Sequence, residues 1–133
     1  TPFHSWPTGA TADAPKRYEY LAWARQKPGR YIVEDDFDSE FARPGAPLET
    51  LYAMDKEGRV IYINTFSKSL APSMRMGYMI LPPALLPLYD ERLGHRSCSV
   101  PLLEQYALAE FMISGAFEQH LNRRRRRLSE REG

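Results

Sequence analysis

The chain has 133 residues, 43% hydrophobic and 12% aromatic, enough for one folded domain and unlike a disordered chain. Its 18 Lys and Arg against 17 Asp and Glu leave a formal net charge of +1, which argues against a globally basic nucleic-acid binder but not against a local patch. The one cysteine, Cys98, cannot make an internal disulfide, and no apolar run approaches the roughly 20 residues that span a bilayer, so the expected setting is cytoplasmic with no membrane partner.

Residues 1–15 are rich in Pro, Thr, Gly and Ala and read as a loop. Asp13 or Ala14 can cap a helix with Pro15 in its first turn, running from about Lys16 to Gln26 with an expected apolar face Tyr18–Leu21–Ala22. Pro28-Gly29 stops it. Tyr31-Ile32-Val33 is a β-rich run that ends in Glu34, Asp35 and Asp36, and a long loop follows to Glu49. After the turn Lys56-Glu57-Gly58, Val60 to Ile63 is a second strand, running at once into Asn64-Thr65-Phe66-Ser67-Lys68. A third strand-like run, Arg75 to Leu81, closes at Pro82-Pro83. The pattern then turns helical. Leu85, Leu86 and Tyr89 make a short helix, Ser99 can cap a longer one through Ile113, and beyond Gly115 Phe117 to Leu128 resumes it. Strand, helix and strand alternate, so the class is α/β.

Chemistry concentrates at two strand ends. Asp35 alone could be a helix cap, a metal ligand, a general base or a solvated charge, and a lone Lys68 would ordinarily be a surface lysine. Together they suggest more, because two strands running parallel deliver both to one crevice. A lysine held there can lose its proton and attack an aldehyde, and an acid opposite can keep a pyridine nitrogen protonated. Thr65, Ser67 and Arg75 add donors suited to a phosphate.

These residues carry a resemblance. The stretch Asn64-Thr65-Phe66-Ser67-Lys68-Ser69-Leu70-Ala71-Pro72-Ser73-Met74-Arg75-Met76-Gly77-Tyr78 resembles the lysine motif of fold-type I pyridoxal 5'-phosphate (PLP) proteins. Within that group it is most similar to the aminotransferase-like domain of MocR/PdxR-type regulators of the GntR family. Glu34 to Phe41 resembles their pyridine-nitrogen motif and Thr1 to Gly9 their upstream Pro-Thr-Gly motif, in the same order and at similar spacing. The resemblance implies that Lys68 forms the Schiff base with PLP, Asp35 pairs with the ring nitrogen, and Arg75 clamps the phosphate with help from Thr65 and Ser67. Phe37 stands where these regulators commonly place a tyrosine that bonds the cofactor's phenolic oxygen, a bond phenylalanine cannot donate. Trp6 lies where many aminotransferases have an asparagine, and reads as a packing residue.

The resemblance further implies an α/β architecture that is part of the fold-type I large domain, a mostly parallel sheet with flanking helices, truncated. Residues 1–98 would be the second half of the PLP-binding large domain and 99–133 the helices leading toward the small domain. Because the chain begins at Thr1 and the family's domain is longer, we expect a piece of a larger protein. Its expected role is sensing an amino-acid-like effector inside a DNA-binding regulator, regulatory rather than efficiently catalytic. A catalytic aminotransferase or a ligand-free structural fragment are the alternatives. DNA would be bound through a separate N-terminal domain, the chain would form a homodimer or otherwise self-associate, and alone it would hold PLP weakly or not at all. The run Arg123 to Arg127 could bind nucleic acid, but arginines at every position surround a helix, so it reads as solvated or partner-facing surface. Met74, Met76 and Met79 read as core filling.

Overall fold

In a computed structural model of the chain, the described residues are 8–36 and 49–132. Helix α1 spans Ala14–Arg25. The Asp13 side chain accepts from the Lys16 amide at 2.9 Å, and Pro15, with its fixed φ, occupies the first turn. The buried residues of α1 are Arg17, Leu21 and Ala24, a spacing of four and three. This corrects the expected face: Tyr18 is 64% exposed and Ala22 is exposed too. The physical reason is Arg17. Its Nε donates to the Ala12 carbonyl at 2.8 Å and its NH1 to the Glu49 carbonyl, which fastens this side of the helix to the chain beneath it.

Strands β1 (Ile32–Asp36), β2 (Val60–Thr65) and β3 (Gly77–Ile80) form one sheet in that order. β1 and β2 are parallel, with Asp35 beside Ile63 and Asp36 beside Asn64. β3 is antiparallel to β2, with Met79 beside Ile63 and Gly77 beside Thr65. The described sheet is therefore mixed, with one pairing of each kind. Between the first two strands lies a single helical turn, α2 (Leu51–Met54), which the hydrophobic pattern does not announce. Leu21, Leu51 and Val60 form the core on one face of the sheet, with Ile32 and Met54 packed against them. Each such side chain contributes about 1.5–3 kcal/mol when fully buried. The turn into β2 is set by Asp55, whose carboxylate accepts from the Glu57 amide at 3.0 Å and the Val60 amide at 2.9 Å, with Gly58 at φ +65°.

β2 runs directly into a one-turn helix, α3 (Phe66–Ser69). Beyond β3, a 3-10 turn at Pro83–Leu85 leads into α4 (Leu86–Leu93). The chain divides into two compact units, Thr1–Arg96 and Ser97–Gly133. In the second, α5 (Leu102–Ile113) and α6 (Ala116–Glu132) are joined through Gly115 at φ +74°, and Phe111 meets the Phe117 and His120 rings at 6.2 and 6.3 Å. Ser99 does not cap α5. Pro101 holds the cap position, and Gln105 instead donates to the Val100 carbonyl at 2.9 Å. Of the three methionines expected in the core, Met76 is buried and Met74 half-buried, whereas Met79 is 46% exposed. No helix among the described residues is long and apolar enough to cross a membrane.

Candidate cofactor site

Side chains alternate across a strand, so the acids that end β1 are divided between two faces. Glu34 and Asp36 point to the core side and are each 1% exposed. Asp35, between them, is exposed on the other face together with Val33. The register continues that open face through Ile63 and Thr65 of β2 to Met79 and Gly77 of β3. Strand spacing and rise put the Asp35 and Thr65 backbones roughly 8 Å apart.

Lys68 is exposed on α3, within a loop that leaves β2 at Phe66 and returns at Met76. The loop is closed at its base: the Phe66 amide donates to the Met76 carbonyl at 2.9 Å. Inside it the Leu70 amide donates to Phe66 and the Met74 amide to Ala71, both at 2.9 Å. The Ser67 hydroxyl donates to the Met74 carbonyl at 2.8 Å, bracing the residue before exposed Arg75. A hydroxyl has one proton, so Ser67 cannot donate to a phosphate while this bond stands. Phe66, Ser69 and Met76 are buried and anchor the loop, with the Phe66 ring 5.3 Å from that of Tyr78. Lys68, Ser67 and Arg75 thus share one closed loop at the end of β2, adjoining Thr65, with Asp35 on the neighbouring strand. Phe37 and residues 1–7 of the upstream motif, Trp6 included, lie outside the described residues.

Two features escaped the sequence reading. The first is a buried polar network on the core face. Glu34 accepts from the Leu51 and Tyr52 amides, both at 2.8 Å, so its carboxylate starts α2. The Tyr62 hydroxyl donates to Asp36 at 2.7 Å and accepts from Asn64 at 3.0 Å. Burial pushes the Glu34 carboxyl above its usual range despite these amides and Arg17, raises the Tyr62 phenol further with help from Asp36, and lowers the Arg17 guanidinium. The second feature is Gly77. A Cβ there would lie 3.0 Å from the Asn64 carbonyl oxygen and 3.5 Å from the Thr65 methyl, so glycine keeps β3 close to β2 and leaves space beside Thr65. The concavity of about 570 Å³ between α1 and β1, lined by Lys16, Tyr20, Trp23 and Tyr31 among others, includes neither Asp35 nor Lys68.

No family profile matches the chain. It is 42% identical over 125 residues to the HTH-type transcriptional regulator YhdI of Bacillus subtilis, covering 94% of the chain and 26% of that protein. It is 39% identical over 132 residues to the probable rhizopine catabolism regulatory protein MocR of Rhizobium meliloti, covering 99% and 27%. The chain thus spans about a quarter of the length of these relatives. Among solved structures, the kynurenine aminotransferase of Pyrococcus horikoshii, in complex with PMP, superposes with a TM-score of 0.81 at 31% identity, covering 94% of this chain and 31% of that one. The chain is thus homologous to a segment of MocR/PdxR-type HTH transcriptional regulators, and its fold is part of the fold-type I aminotransferase domain.

Proposed function

We propose that this segment holds PLP, and with it an amino-acid-like effector or substrate, as the sensing part of a cytoplasmic, dimeric transcriptional regulator whose DNA reader lies elsewhere in a longer protein. The observation that carries the reading is the division of the β1 acids: Asp35 alone faces outward, on the face that also bears Thr65, beside the closed loop of Lys68 and Arg75. The donor set fits the cofactor: an amine for an aldehyde, a carboxylate for a ring nitrogen, a hydroxyl and a guanidinium for a phosphate. Gly77 adds room where a side chain would crowd Thr65.

When bound, PLP supplies an aldehyde for amine capture and a ring that accepts electrons. Lys68 would present its amine to that aldehyde. Asp35 would hold the proton on the ring nitrogen, because an adjacent anion favours the charged form. Thr65 and Arg75 would fix the phosphate, with Ser67 holding the turn that carries Arg75. Phe37 would leave the phenolic oxygen without a tyrosine donor. Charge-assisted hydrogen bonds contribute about 1.5–3 kcal/mol each, so a site with only these groups binds weakly. Titration with PLP, followed by its visible absorption, should show a weak lysine-dependent band that Lys68→Ala abolishes. A band of equal size in Lys68→Ala would refute the reading.

A further inference from the structure

Helix α6 sorts its five consecutive arginines unequally. At roughly 100° per residue, Leu121, which is buried, shares a stripe with half-buried Phe117 and with Leu128. Arg124 is half-buried beside that stripe, and Arg125, exposed on the stripe's other flank, donates to the Asn122 side chain at 3.3 Å. Arg123, Arg126 and Arg127 fall on the opposite side, all exposed, and none makes an ion pair among the described residues. Their spacings of three and four residues are those at which like charges on a helix repel. Glu130 shares this side, one turn on, and offsets only part of the charge. The expected ring of equivalent arginines is therefore a three-cation face backed by an apolar stripe.

We propose that Arg123, Arg126 and Arg127 form a contact for the phosphate backbone of duplex DNA. The three arginines span roughly 6 Å of helix axis at 1.5 Å per residue, about one charge per 2 Å. Duplex DNA carries one negative charge per roughly 1.7 Å, a matching density that relieves the repulsion within the helix. Guanidinium groups bind phosphate in bidentate fashion and keep their charge at any working pH, so arginine suits this task better than lysine. Backbone contacts carry no sequence information, so this face adds affinity and orientation, while base reading belongs to another part of a regulator. The choice of DNA as the polyanion rests on the regulator reading.

The test is binding of the full chain, without PLP, to a short labelled duplex of arbitrary sequence over a salt series. With a slope of about −0.9 per phosphate, three contacts lose about 40-fold in affinity between roughly 50 and 200 mM salt. The triple variant Arg123→Gln, Arg126→Gln, Arg127→Gln should lose most of that salt dependence. The corresponding triple Lys variant should keep the slope, which guards against a folding defect as the cause. Equal slopes for wild type and the Gln variant, or no binding at low salt, would overturn the proposal. So would capture by polyglutamate as tight as by the duplex, which would make the face one for acidic protein. Because no cofactor is needed, failure here leaves the Lys68 reading standing, and failure at Lys68 leaves this one standing.

Discussion

The two faces of the sheet use the same chemistry for opposite ends. On the core face, Glu34 and Asp36 are sealed in with Arg17, Tyr62 and Asn64, and their oxygens are occupied by α2 amides and a phenol. On the open face, Asp35 stands exposed beside Val33, in register with Ile63. Three consecutive acids thus divide by strand alternation into two that hold the framework and one that faces away from the core. A carboxylate that is buried and bonded is a poor candidate for chemistry, because it is already committed. In the proposed site, Asp35 would be available to a pyridine nitrogen because its neighbours hold the strand.

The contrast breaks most visibly under truncation. Glu34→Ala should destabilise the chain by about 3–5 kcal/mol, because it strips the Leu51 and Tyr52 amides of their acceptor and leaves Arg17 buried with less compensation. Asp35→Ala should change stability by no more than about 0.5 kcal/mol. Denaturant unfolding compares the two directly, and similar losses in both would erase the distinction between the faces. Gly77→Ala should cost about 1–3 kcal/mol, since the new methyl meets the Asn64 carbonyl at 3.0 Å and β3 must shift. It should also weaken PLP-dependent absorption, because Thr65 lies on that side. A variant as stable as the parent would show that the strands are looser than they look.

A smaller effect is pH-dependent. Burial holds the Glu34 carboxyl above its ordinary value of 4.5. In the window above that value the native state binds more protons than the unfolded one, so this group's contribution to stability falls as pH rises. Unfolding free energy of the parent, relative to Glu34→Gln, should therefore decline as pH is raised from about 4.5. A relative rise would mean that Arg17 and the two amides outweigh burial.

Much of the open face was legible in the sequence. Asp35 and Lys68 each follow a short β-rich run, and the antiparallel third strand lies within Arg75–Leu81. The core face was not, because its logic depends on partners distant in sequence. Arg17 is buried because Glu49 and Ala12 supply carbonyls, and nothing in the helical pattern of α1 marks an arginine as inward. Helix α2 is a single turn started by a carboxylate 17 residues away, so no periodicity could reveal it. The arginine run was visible as composition, but only the position of Leu121 tells which of its members lie opposite the buried side of the helix.

Four lysines could capture an aldehyde: Lys16, Lys27, Lys56 and Lys68. Reduction with borohydride in the presence of PLP, followed by peptide mapping, traps even a weak complex and reports which lysine formed it. Label should concentrate on Lys68, and Asp35→Ala should lower the label there without redirecting it. Label spread evenly over the four lysines, or concentrated on Lys16, Lys27 or Lys56, would contradict the assignment of this site.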